Sequence, residues 1–130
     1  MEKKQMGITY VPELSASMSV SDMDASIDWY QKVLGFDLLF RDDDLGWCEL
    51  STGVPGVTVG LAQSENVTQG GGATNVWGVK DIVEAKAQLD AHRVKQDGDI
   101  QIVPDMVKLI TFYDPDGNAM MFAQSLSEGG

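Results

Sequence analysis

The chain nearly repeats itself. Val20-Ser21-Asp22-Met23 follows a strand-like run and opens a stretch with helical spacing, and 59 residues later Val79-Lys80-Asp81-Ile82 does the same. The halves also close alike, on Leu61-Ala62-Gln63 and, 61 residues on, on Phe122-Ala123-Gln124. Two matches in the same order at nearly one offset mark two copies of one unit. A repeat constrains the fold more than any single motif does. Two copies packed face to face leave a cleft between them, a common place for a ligand.

Each copy reads as β-α-β-β-β. Residues 14–20 alternate, with Met18 and Val20 on one face and Ser15, Ser17 and Ser19 on the other. The serine face is too polar for a dry core and small enough to line a cavity. Ser21 offers a helix N-cap with Asp24 three residues on. Met23, Ile27, Tyr30 and Leu34 then follow at helical spacing, and Gly35 ends the helix. Residues 36–41 and 46–51 read as strands joined by the solvated turn Asp42-Asp43-Asp44. Residues 57–62 are a fourth strand, with Val57, Val59 and Leu61 on one face and Thr58, Gly60 and Ala62 on the other. Gly70-Gly71-Gly72 is the expected linker, since a phosphate-cradling loop would need a lysine and a following helix. The second copy has a strand over 74–79 and a helix from the cap Asp81 to about His92, with Ile82, Ala85 and Leu89 on one face. Strands over 100–103 and 107–113, the turn Asp114-Pro115-Asp116-Gly117-Asn118 and a closing strand over 119–124 complete it. The polar tail from Ser125 is expected to fray.

Composition narrows the class. With 130 residues, 43% hydrophobic and 22% charged, the chain fits one globular domain. No apolar run approaches the roughly 20 residues of a membrane helix. The lysines near Met1 precede no apolar stretch, so a signal peptide is not expected. The single cysteine, Cys48, excludes an internal disulfide and fits a reducing cytoplasm. Nine basic against 20 acidic residues, net −11, repel phosphate backbones, so neither nucleic acid nor membrane is expected as a partner. That acidity reads as solubility or, more sharply, as a preference for cationic ligands.

Two motifs carry a family resemblance. Val20-Ser21-Asp22 followed by Ile27-Asp28-Trp29-Tyr30-Gln31-Lys32-Val33-Leu34-Gly35-Phe36 resembles the first-helix signature of the vicinal oxygen chelate superfamily, the glyoxalase, bleomycin-resistance and extradiol-dioxygenase group. Phe112-Tyr113-Asp114-Pro115-Asp116-Gly117-Asn118 resembles its closing turn. The resemblance spans about residues 14–124. It implies an α+β fold: two βαβββ modules forming an open, cupped mixed β-barrel with helices outside. The whole chain, 1–130, would be one glyoxalase-like domain, with module one at about 8–66 and module two at about 73–126. It also implies a homodimer.

Metal-dependent members hold a divalent ion with one residue from the first and last strand of each module. Counting from the motifs puts those positions at Ser15, about Gly60, about Thr74 and Met121, none a usual ligand of Mn, Fe, Ni or Zn. No His, Asp or Glu occurs in 14–20, 57–63, 74–79 or 119–124, so a small register error restores nothing. Neither a metal nor another cofactor is expected. The cavity-facing set is then Ser15, Ser17, Thr58, Gly60, Thr74, Val76, Met121 and Ala123, with Trp47, Met106 and Phe112 closing its rim or walls. Small hydroxyls leave room, while methionine and aromatic rings supply apolar contact.

Other catalytic candidates are few. His92, the only histidine, sits near a helix end, where it serves the dipole. Cys48 reads as a packed thiol without a base. Glu49 shares a face with Trp47 by alternation, so it is either an exposed edge-strand carboxylate or, on a cavity wall, a cation-binding group or base. Three classes follow. The first is a metal-free small-molecule binding protein of the glyoxalase and bleomycin-resistance type, holding an organic, partly aromatic ligand. The second is an enzyme of the same superfamily, lyase, isomerase or dioxygenase-like, with a non-standard site. The third is an interaction module with a collapsed cavity. Expected partners are a small organic ligand and a second copy of the chain. Sedimentation at micromolar concentration is expected to give twice the 14.1 kDa mass of one chain, and a monomer alone contradicts this.

Overall fold

The computed structural model describes residues 3–5, 7–66 and 74–126. The glycine linker at 70–72 and the end of the tail lie outside the described residues. A short hairpin, β1 (Lys3–Gln5) and β2 (Ile8–Tyr10), precedes the first module. That module runs β3 (Leu14–Val20), α1 (Met23–Leu34), β4 (Asp37–Asp42), β5 (Trp47–Ser51) and β6 (Val57–Gln63). The second runs β7 (Asn75–Gly78), α2 (Ile82–Ala91), β8 (Gln101–Val103), β9 (Val107–Tyr113) and β10 (Ala119–Ser125). The sheet orders are β3-β6-β5-β4 and β7-β10-β9-β8, the same order in both copies. In each, the first strand pairs in parallel with the last, and the other ladders are antiparallel. This is the cupped α+β arrangement of two βαβββ units. Among the described residues the strands form two separate four-stranded sheets, and no ladder closes them into one barrel.

The repeated tetrapeptides have a physical cause. Asp22 and Asp81 are both helix N-caps, with extended backbones at φ −133° and −138°. The Asp22 carboxylate accepts from the Ala25 N–H, and that of Asp81 from Val83 and Glu84. Ser21 is therefore not the cap; its own N–H instead donates to Asp116 at 3.0 Å. The carboxylate one residue later already occupies the extended conformation a cap requires. The repeated glutamines complete the device. Gln63 Oε1 accepts from Met23 N at 3.3 Å, and Gln124 Oε1 from Ile82 N at 2.8 Å. Each module's last strand thus satisfies the first amide of its own helix, one of the donors a helix start leaves unpaired. Gly35 ends α1 at φ 73°, a left-handed position glycine adopts without a Cβ penalty.

The core lies between helices and sheets and is continuous across the modules. Val20, Met23, Ile27, Tyr30, Phe36, Cys48, Leu50, Val59 and Leu61 meet Ile82, Leu89, Val94, Ile110, Phe112 and Met120. Besides the Ser21–Asp116 bond, the modules are tied by a buried polar group. Tyr30, fully buried on α1, donates its hydroxyl to Asp114 Oδ2 at 2.8 Å. Asp114 also accepts from the amides of Asp116 and Asn118 and from the Asn118 side chain. Asn118 then reaches back to the Ser19 carbonyl at 3.0 Å.

Burial first, and then the Asp114 charge, raises the Tyr30 hydroxyl pKa well above its ordinary 10.0. Below about pH 10 both folded and unfolded chains hold this proton; above it the unfolded chain releases it while the folded one keeps it, so stability falls as pH rises. Tyr30→Phe is expected to cost about 1–3 kcal/mol at neutral pH by leaving Asp114 short of a donor. Urea unfolding between about pH 9 and pH 11 is expected to show a steeper loss in the parent than in Tyr30→Phe, and equal slopes would contradict the assignment.

Candidate functional site

Alternation and ladder register decide what each strand shows to the cup. On β5, Cys48 and Leu50 are fully buried toward the helices. Burial raises the Cys48 thiol pKa, which fits a packed, unreactive group. Trp47 and Glu49 therefore lie on the opposite, open face, as alternation predicts. The ladders extend this face into rows. Ser15, Thr58 and Ser51 line up across β3, β6 and β5; Ser17, Gly60 and Glu49 form the next row, and Ser19, Ala62 and Trp47 the one after.

Within this face Trp47 and Gly60 are interlocked. The six-membered ring of Trp47 rests on residue 60 so closely that a Cβ there would collide with Cη2 and Cζ2. Glycine is thus what lets the indole lie down on the strand. Beside it, Thr58 Oγ1 donates to Glu49 Oε2 at 3.2 Å, a diagonal bond across the ladder that orients the carboxylate. At the end of the sheet a depression of about 640 Å3 is lined by Ser15, Glu49, Ser51 and Thr58 together with Glu13, Leu14 and the 54–57 loop. Two carboxylates face it and no basic side chain does.

The expected site residues separate into groups. Ser15, Ser17, Trp47, Glu49, Thr58 and Gly60 share the open face of the first sheet. Met121 and Val76 pair on the corresponding face of the second sheet, next to Thr111. Thr74 is exposed just before β7, and Met106 is 63% exposed in the β8–β9 turn. Phe112 is a correction. It is fully buried, in register with Met120 on the helix side of β9, and its ring packs on Phe122 with centroids 4.5 Å apart. It belongs to the core and not to the rim.

Two residues of this face were not anticipated. Glu13 precedes β3 at the end of the sheet. Phe40 stands opposite Glu49 and is 52% exposed. Simple alternation puts Phe40 with Leu38, but the register shifts by one residue between them and turns Phe40 to the open side.

The superfamily's metal can be tested against these donors. Ser15, Gly60, Thr74 and Met121 offer two hydroxyls, a bare backbone and a thioether, which do not fit Mn, Fe, Ni or Zn. The strand-end glutamines, Gln63 and Gln124, are engaged at the helix starts. Among the described residues no group of three or more His, Cys, Asp or Glu is placed to hold an ion. Gly60→Ala is expected to lift the indole off the strand. Trp47 emission should shift while the far-ultraviolet circular dichroism stays that of the parent; an unchanged emission spectrum contradicts the interlock.

Solved structures with this fold are numerous. An integron cassette protein from the mobile metagenome of the Halifax Harbour sewage outfall is 23% identical, with TM-score 0.74, over 86% of this chain and 97% of its own. TnmS3, an antibiotic binding protein from a Streptomyces species, is 24% identical, with TM-score 0.72, over 93% and 99%. FosX, a fosfomycin resistance protein from Listeria monocytogenes solved with Mn(II) and a dihydroxypropylphosphonic acid, is 14% identical, with TM-score 0.76, over 89% and 94%. At such identities the likeness is one of fold. No curated protein matches the sequence. The family model of the Glyoxalase/Bleomycin resistance protein/Dioxygenase superfamily matches residues 14–122, and the chain belongs to that superfamily.

Proposed function

We propose that this protein binds a small organic, partly aromatic ligand on the open face of its first sheet without a metal ion, and that the ligand carries a positive charge. The observation that carries the reading is the pairing of an indole laid on Gly60 with a carboxylate held by Thr58. An aromatic face beside a fixed negative charge attracts a planar cation twice, through the ring quadrupole and through the charge. Ser15 and Ser17 add hydroxyls and leave room, and Glu13 and the net charge of −11 favour the same sign of ligand. Met121, Val76, Thr74 and Met106 would close over the ligand from the second sheet. TnmS3 has this fold and is an antibiotic binding protein, which supports a binding role.

The same reading includes a homodimer acting in the cytoplasm. The outer strands β4 and β8 leave unpaired edges and carry exposed Leu39, Phe40 and Ile102, and a second copy would cover them.

The test joins two measurements. Protein purified without denaturation is expected to carry at most a trace of metal by elemental analysis; a stoichiometric metal would overturn the reading. A planar aromatic cation such as N-methylquinolinium is expected to quench Trp47 emission. Trp47→Ala should weaken its binding by about 1–3 kcal/mol. Glu49→Gln should weaken the cation but not neutral quinoline. Equal binding of both compounds by the parent contradicts the charge assignment. Turnover of a bound compound that Glu49→Gln abolishes while keeping affinity would make the protein an enzyme with Glu49 as its base.

A further inference from the structure

The register shift in β4 brings a second aromatic ring to Glu49. Phe40 pairs with Glu49 across the β4–β5 ladder, and Arg41 pairs with Cys48. Arg41 also marks which way the strand faces, since its guanidinium reaches Asp24 of α1 at 2.6 Å, on the helix side. Strand neighbours point to opposite faces, so Phe40 and Asp42 turn to the open side, where Phe40 is exposed. On the other flank Glu49 pairs with Gly60, over which the Trp47 ring lies. One row thus runs from the Phe40 ring through the Glu49 carboxylate to the indole on Gly60.

The spacing of that row suits a cation. Neighbouring strands lie about 4.8 Å apart, so the β4 and β6 positions that carry the two rings are roughly 9.6 Å apart, with Glu49 between them. A positive charge above Glu49 would stand roughly 5 Å from each ring, inside the ~6 Å over which a ring face attracts a cation. Arg41 is the only basic residue in the four strands of this sheet, and it is turned away, engaged with Asp24 and Asp43. Asp42, opposite Trp47, adds a second carboxylate to the same face. The kind of cation follows from what the row lacks. A primary ammonium is strongly hydrated and carries N–H donors on every side, and two rings return few of the hydrogen bonds it would lose. A fully methylated ammonium has no donors to leave unpaired, and its methyl groups pack on aromatic carbon.

We propose that Phe40, Glu49 and Trp47 form a cage for a methylated ammonium group, with the two rings as walls and the carboxylate as counter-charge. The proposal rests on the reading of this face as a cation site and names the group that the site selects. Phe40 stands on the outermost strand, so a second copy seated on that edge would back the ring from outside and leave its inner side toward Glu49.

Benzyltrimethylammonium and benzylammonium test it, because both carry a ring and a positive charge at neutral pH and differ in the methyl groups. By isothermal titration the parent is expected to bind the trimethyl compound roughly tenfold tighter. Saturation-transfer proton spectra should place the methyl protons nearest the protein. Phe40→Leu should remove the preference, and Phe40→Tyr, which keeps a ring, should retain it, in variants whose circular dichroism and sedimentation match the parent. Glu49→Gln should weaken both cations and leave their ratio unchanged. If the parent binds the two equally, if the preference survives Phe40→Leu, or if saturation reaches the phenyl protons and not the methyl protons, the cage is overturned while the cation site stands. If neither cation binds at millimolar concentration, the cation reading itself fails and the cage with it.

Discussion

The hydroxyl of Tyr30 on the carboxylate of Asp114 is the contact on which the arrangement of the two modules rests. Tyr30 comes from the helix of one module and Asp114 from the closing turn of the other. The carboxylate is almost wholly buried, and every hydrogen bond it accepts has a structural role. Two backbone amides shape the turn, the Asn118 side chain passes the connection to Ser19, and the tyrosine anchors the far module. A buried carboxylate deprived of a donor is expensive, so alternative placements of the modules are strongly disfavoured. Beside this contact the Met18 sulfur of β3 accepts from the Tyr30 hydroxyl and is approached by the Asn75 amide of β7.

Within each module the phase of the strands follows from a second contact. Once Gln63 is turned to the start of α1, strand alternation sends Leu61 and Val59 into the core and Ala62, Gly60 and Thr58 to the open face. Gln124 does the same for β10, burying Met120 and sending Met121 outward. A slip of one residue would reverse every side chain on the strand, so this glutamine–amide bond helps set which residues the strand turns to the open face. The same bond explains why a glutamine recurs at the end of each repeat.

The chemistry of the open face departs from that of metal-dependent relatives. The positions expected from the family resemblance to carry ligands are Ser15, Gly60, Thr74 and Met121, and the glycine is needed so that Trp47 can lie across β6. Glu49 and Glu13 leave the surface negative, in a chain that is already acidic. Such a surface concentrates cationic organic molecules and repels phosphates and carboxylates.

The fold was legible because repetition and periodicity are properties of the chain itself. Strand and helix positions, the Gly35 cap and the shared face of Trp47 and Glu49 all follow from spacing and from the two-residue alternation of a strand. The Asp22 and Asp81 caps were half legible, since the tetrapeptides were seen but Ser21 competed with Asp22 for the role. Phe112, expected at the cavity's rim or walls, lies in the core instead, because its strand alternates apolar residues on both faces and only packing against Phe122 and the rest of the core shows which is inside. Phe40 reached the open face through a register shift in β4 that no periodicity announces. The sequence by itself determined the two units and their element order, which depend on residue type and local spacing. Only the tertiary structure decided that Trp47 rests on Gly60, that Glu49 is held by Thr58 and that Trp77 keeps a buried, unpartnered N–H, because each depends on residues that only folding brings together.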